Sequence, residues 1–182
     1  LKTVKRTDSY ICLYMGLNKS AEDLKLNNTN LWIYPGYNHD QNVINYLDNP
    51  KSEFPVVYIS FPSAKDPAFD KQHPGFATME AITVAPWELY GKWQNEPWKN
   101  RGNEYESLKE TFSKKLLDTV YSHVPQAKEA MEYYELSTPL SVKSLANYSK
   151  GELYGIDHTP GRFRQRWLKP KTTIKNLYLT GQ

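Results

Sequence analysis

The chain of 182 residues is 39% hydrophobic, 14% aromatic and 24% charged, which excludes disorder, collagen and coiled coil and suits one domain, or one plus part of a second. Twenty-three Lys and Arg against 20 Asp and Glu leave a net charge of +3, too mild to imply a nucleic-acid partner. No apolar run approaches the ~18 residues of a membrane span, and a lone cysteine, Cys12, precludes an internal disulfide.

Ser9 to Leu17, rich in Tyr, Ile and Leu, predicts a strand, with Cys12 inside it as a buried, inert thiol. Ser20-Ala21-Glu22-Asp23 resembles a capped start of a short helix. Leu31 to Tyr34 reads as a strand stopped by Pro35-Gly36. Over Asp40 to Leu47 the spacing of Val43, Ile44 and Leu47 is helical, and Asn49-Pro50 closes it. Phe54 to Phe61 is the clearest strand, Pro62 to Gly75 a polar loop, and Phe76 to Ala85 a further strand. Pro86 to Gly102 is aromatic and irregular. From about Glu104 to Ser122 the stripe of Tyr105, Leu108, Phe112, Leu116, Leu117, Val120 and Val124 predicts the longest helix. Pro125 opens another helix, expected to run through Tyr134, and Thr138-Pro139 caps a short one to Ala146. After the loops of Gly151 to Gly161, Leu177 to Gly181 reads as a buried strand entering a glycine turn.

Strands separated by helices, without strict βαβ alternation, predict an α+β fold: a mixed, largely antiparallel sheet covered by helices. The sequence starts without methionine and stops just after its last strand, so it reads as an internal piece of something longer.

Motifs for chemistry are few. Phosphate-binding glycine loops, HExxH, paired-cysteine zinc patterns and GxSxG are all missing, so no metal site and no catalytic residue is assigned. His39, His73, His123 and His158 are scattered, and a structural loop role suits His158. The five Trp and 14 Tyr have two readings, core packing or the lining of a channel for an apolar ligand. Arg162, Arg164, Arg166, Lys169 and Lys171 form either a solvated surface run or a contact for phosphate or a membrane surface.

One set of segments carries a resemblance. Gly151-Glu152-Leu153-Tyr154-Gly155, Pro160-Gly161-Arg162-Phe163, Leu168-Lys169-Pro170 and Leu177-Tyr178-Leu179-Thr180-Gly181-Gln182 occur in series, after Glu104-Tyr105-Glu106 and Leu136-Ser137-Thr138-Pro139-Leu140. The chain resembles the carotenoid isomerase, retinol saturase and phytoene-desaturase-related flavoproteins, most clearly over residues 54 to 182. In that family the two chain ends build an FAD domain with a substrate domain between them. The resemblance implies that residues 1–150 are substrate-domain material and 151–182 a return segment towards the FAD domain. It places Thr180, Gly181 and Gln182 beside the cofactor, and Tyr154 and Gly155 with them at the flavin. Thr138 and Pro139 fall at the substrate pocket, although a helix cap explains them equally well. The implied chemistry is hydride transfer between FAD and an apolar polyene, by saturation, desaturation or redox-dependent isomerisation, with NAD(P) as a candidate electron donor or acceptor. The N-terminal glycine fingerprint is absent, so this stretch alone is expected to be inactive and to hold FAD weakly or not at all. The expected location is cytoplasmic or at a membrane periphery. The competing readings are a non-enzymatic apolar-ligand binding module and a peripheral membrane adaptor.

Overall fold

In a computed structural model describing residues 4–181, the strands pair into one five-stranded sheet of order β2-β3-β4-β1-β5. In chain order the elements are β1 (Tyr10–Leu17), β2 (Leu31–Ile33), α1 (His39–Asp48), β3 (Val57–Ser60), α2 (Pro62–Lys65), α3 (Phe69–Gln72) and β4 (Ala77–Val84). Two 3-10 turns, Trp87–Leu89 and Gly91–Trp93, lead to α4 (Gly102–His123), α5 (Ala127–Ala130), β5 (Met131–Ser137) and α6 (Pro139–Ala146). A single-turn α7 (Pro160–Phe163) and a 3-10 turn, Arg166–Leu168, follow. Each ladder is antiparallel, which corrects the expectation of a mixed sheet.

Alternation explains why these segments become strands. Ile11, Leu13, Met15 and Leu17 of β1, and Ala77, Met79 and Ala81 of β4, are buried on one face. The core continues in the α4 stripe of Tyr105, Phe112, Leu116, Leu117 and Val120, and α4 packs on β3 and β5. Leu108 is only half-buried, and Val124 enters the core just past the helix end.

Other expectations change. The helix after Pro125 ends at Ala130, and Met131–Ser137 is a strand, because β1 offers it a free edge whose hydrogen bonds outweigh local helix preference. Ser20 caps only one turn, donated to by the Asp23 N–H at 3.0 Å. The polar loop 62–75 contains α2 and α3. In α1 the buried residue is Tyr46, whereas Val43, Ile44 and Leu47 are exposed. Leu177, Tyr178 and Leu179 are exposed too and form no ladder; Tyr178 makes an isolated bridge to Lys171.

A second pairing joins the N-terminal segment 5–9 to residues 152–157. The Thr7 N–H donates to the Gly155 carbonyl at 2.9 Å, Leu153 N–H to Asp8 and Asp157 N–H to Lys5. Glu152, buried behind this pairing, lies 2.6 Å from Arg6 Nε. Its carboxylate also accepts from the Ser149 hydroxyl at 2.9 Å and the Lys150 N–H at 3.0 Å.

Candidate functional site

The register that buries the odd-numbered residues of β1 sends the even-numbered ones to the opposite face. One row across the sheet is Trp32, Tyr58, Ile82, Cys12 and Ser137; the next is Ser60, Glu80, Tyr14 and Glu135. Tyr10 pairs with Val84 beyond them. This face is half-open: Tyr14 is 45% and Trp32 61% exposed, while Tyr10, Tyr58, Ile82 and Val84 are half-buried. Trp32 packs edge-on to Tyr58 with ring centres 4.8 Å apart. At one corner α2 reaches over, and Lys65 Nζ donates to Ser60 Oγ at 2.8 Å.

Burial raises the Tyr10 phenol pKa, and the nearby Cys12, Tyr148, Glu80 and Tyr154 push it the same way. Burial, followed by Cys12, also drives the Tyr14 phenol well up. The Cys12 thiol is pushed up to about 12 by burial, against a lowering hydrogen bond with Tyr14. All three groups therefore stay protonated at neutral pH, so Cys12 is no nucleophile and the phenols are hydrogen-bond donors. The face is an aromatic wall carrying Trp32 and the phenols of Tyr10, Tyr14 and Tyr58, with two acids, Glu80 and Glu135, in one row. It suits an elongated apolar molecule with a polar end. Val84 also borders a cleft of about 500 Å3 lined by Val43, Leu47, Pro55, Val56 and Trp87, with Lys5 and Lys150 among its polar residues.

The site residues expected from the sequence fall into separate places. Thr138 and Pro139 are fully buried. Thr138 shares a 2.7 Å hydrogen bond with the Tyr105 hydroxyl and forms a capping box with Ser141, so both residues build the β5–α6 joint. Gly151 packs on Pro139 so closely that a Cβ would stand 2.4 Å from its carbonyl oxygen. The Tyr154 N–H donates to Thr7 Oγ1 at 3.1 Å, and Gly155, at φ +67°, turns the chain back along the N-terminal segment. The Tyr154 ring is exposed, edge-on to His158, and close enough to Tyr10 to influence its titration. Thr180 and Gly181 follow a hairpin-like loop in which the Leu179 N–H donates to the Pro170 carbonyl and the Thr172 N–H to that of Leu177. Gly181 has φ +112° and open space where a side chain would begin. Gln182 lies outside the described residues.

Tyr10, Tyr14, Tyr58, Glu80 and Ile82 were not singled out from the sequence. Their signal was the alternation within each strand, which marks two faces but does not say which strands adjoin.

The wall, half-open and aromatic, is thus one face of the antiparallel sheet of an α+β fold. Comparison with known proteins narrows this. No family model matches the sequence. The chain is 33% identical to the all-trans-retinol 13,14-reductase of Danio rerio, with 100% of the chain aligned to 31% of that protein. It is 32% identical to the Rattus norvegicus enzyme of that name, again over 100% of the chain and 31% of the relative. For the Homo sapiens protein the figures are 33% identity, 97% of the chain and 29% of the relative. The chain is thus a homologue of the all-trans-retinol 13,14-reductases, as the retinol-saturase resemblance in its sequence implied, and spans less than a third of their length.

Proposed function

We propose that the chain is the substrate-domain part of a flavin-dependent oxidoreductase acting on a retinoid- or carotenoid-like polyene, with the open sheet face as the wall against which the polyene lies. The observation that carries this reading is the whole-length likeness to proteins named retinol reductases, joined to a wall of the shape and polarity such a substrate needs. In this reading residues 1–150 carry the sheet, and 151–182 lead back to the FAD domain.

The hydride chemistry would come from FAD, held mainly by residues beyond this stretch. Gly181 fits a close backbone approach, since its left-handed conformation and open surroundings leave room for a ligand. The described chain's own tasks are binding and exclusion of water. Tyr58, Ile82 and Val84 take the polyene's apolar face, and the protonated Tyr10 and Tyr14 hydroxyls orient its polar end. Tyr154 closes the margin next to Tyr10. NAD(P)H is the candidate external reductant.

The natural-length protein is expected to carry flavin absorbance and, with all-trans-retinol and a reductant, to shorten the conjugated chain, seen as a loss of long-wavelength absorbance on chromatography. A protein without bound flavin, or one that converts no retinoid or carotenoid under reducing or oxidising conditions, would overturn the reading. A second reading, retention of an apolar ligand without chemistry, is favoured by one observation. A Danio rerio relative 30% identical over the whole chain is named an inactive all-trans-retinol 13,14-reductase. It predicts tryptophan quenching by retinol with no product.

Among the described residues no helix is long and apolar enough to cross a membrane. The basic cluster of 162–171 stands with exposed Phe163 and Trp167, a pairing that suits peripheral contact with an anionic lipid surface. Salt-sensitive binding to anionic vesicles is the expected sign.

A further inference from the structure

Arg101 is a charge that the fold buries without a carboxylate. It is 7% exposed, and its Nη2 donates to Ser144 Oγ at 3.0 Å, while its Nε is shut off from solvent and has no partner. Its guanidinium stands 5.2 Å from the Tyr105 ring centre and 5.7 Å from that of Trp98. The two rings attract and orient the cation without neutralising it. None of the ion pairs among the described residues includes Arg101. A buried cation left so is costly, and the usual remedy is an anion.

The local field points the same way. Arg101 is the residue before α4, a helix of 22 residues whose first turn has no capping side chain. Free N–H groups and the helix dipole make that end positive, where an acid or hydroxyl normally stands and an arginine is unfavourable. Glu104, the acid of the first turn, is engaged by Lys92. Beside Arg101 lies a pocket of about 300 Å3, also lined by Trp98, Lys99, Tyr105, Lys109 and Ser141. Two acids share its lining. Glu106 lies 3.8 Å from Lys109 Nζ, and Glu135 accepts from the Tyr133 hydroxyl at 2.9 Å.

We propose that this pocket binds a phosphate-class oxyanion, with Arg101 as the oriented anchor and Lys99, Lys109 and the Ser141 hydroxyl completing the shell. Phosphate oxygens suit the guanidinium fork, and the pocket admits a group of that size. The oxyanion is either free phosphate or the phosphate ester of a nucleotide. The site stands independently of the retinoid reading, because none of its residues is used there.

The test is calorimetric titration of the natural-length protein with inorganic phosphate, pyrophosphate and AMP, with acetate for comparison. Saturable binding of the phosphate probes is expected, weakened about tenfold or more by Arg101→Gln, as loss of a charge-assisted pair predicts. The Lys99→Gln/Lys109→Gln double variant, which leaves the buried anchor in place, is expected to bind severalfold more weakly. It keeps the test decisive if Arg101→Gln does not fold. AMP binding tighter than phosphate assigns the nucleotide source, and equal affinities assign free phosphate. No saturable binding of any probe, or affinity unchanged in the double variant, overturns the site.

Discussion

At the scale of single residues, two positions support the pairing of the N-terminal segment with residues 152–157. Gly151 combines φ +64° with a would-be Cβ only 2.4 Å from the Pro139 oxygen, so both backbone and space exclude a side chain. Gly151→Ala is expected to cost about 2 kcal/mol or more, read as a lower urea midpoint. Glu152 behaves differently, because its contribution depends on pH. Burial alone would raise its pKa. Its own backbone N–H, that of Lys150, the Ser149 hydroxyl and Arg6 outweigh that and lower it below the usual 4.5. A carboxyl with a depressed folded pKa stabilises fully above its unfolded value and loses that contribution as pH falls through the folded one. Acid unfolding monitored from pH 6 downwards should therefore steepen below about 4.5 in the native protein, and Glu152→Gln should flatten that limb.

At the scale of elements, α1 shows how periodicity marks a helix without saying which face packs. Val43, Ile44 and Leu47 have the helical spacing, yet Tyr46 enters the core against Phe54. Tyr46 brings a hydroxyl that finds no partner there. Tyr46→Ala should cost about 3 kcal/mol in chemical denaturation, whereas Tyr46→Phe should gain about 1 kcal/mol by deleting an unsatisfied buried group. The Ile44→Gln/Leu47→Gln pair should stay within about 0.5 kcal/mol in the 182-residue chain. A clearly larger loss would mean that this face is covered.

At the scale of the whole molecule, the sheet puts its two faces to different uses. One is buried with α4 in the core; the other carries the aromatic wall. On the proposed reading, Tyr58→Ala and Tyr14→Phe in the natural-length protein should raise KM for retinol by roughly tenfold or less, since each removes one apolar or hydrogen-bonding contact of about 1 kcal/mol. Their unfolding midpoints should move little, because these side chains lie outside the core. An unchanged KM in both would remove the wall from substrate binding.

Much of this was legible in one dimension, for reasons of local physics. The strand patterns of β1, β3 and β4, the long α4 stripe, and the Thr138-Pro139 cap depend on neighbours within a few residues, so the amino-acid order alone determined them. So too was the family likeness, carried by the series from Gly151 to Gln182. Where long-range partners compete with local preference, only the tertiary structure decided. Met131–Ser137 became a strand because β1 had an unpaired edge, and Leu177–Leu179 stayed exposed because no strand of the described chain pairs with it. The wall of Tyr10, Tyr14, Tyr58 and Ile82 is scattered over three strands, and only their register assembles it. Arg101 looks in sequence like any surface arginine, until packing under Trp98 and Tyr105 removes it from water without supplying a counter-charge. Sequence order fixes what a segment prefers, whereas burial and charge balance are properties of all the segments together.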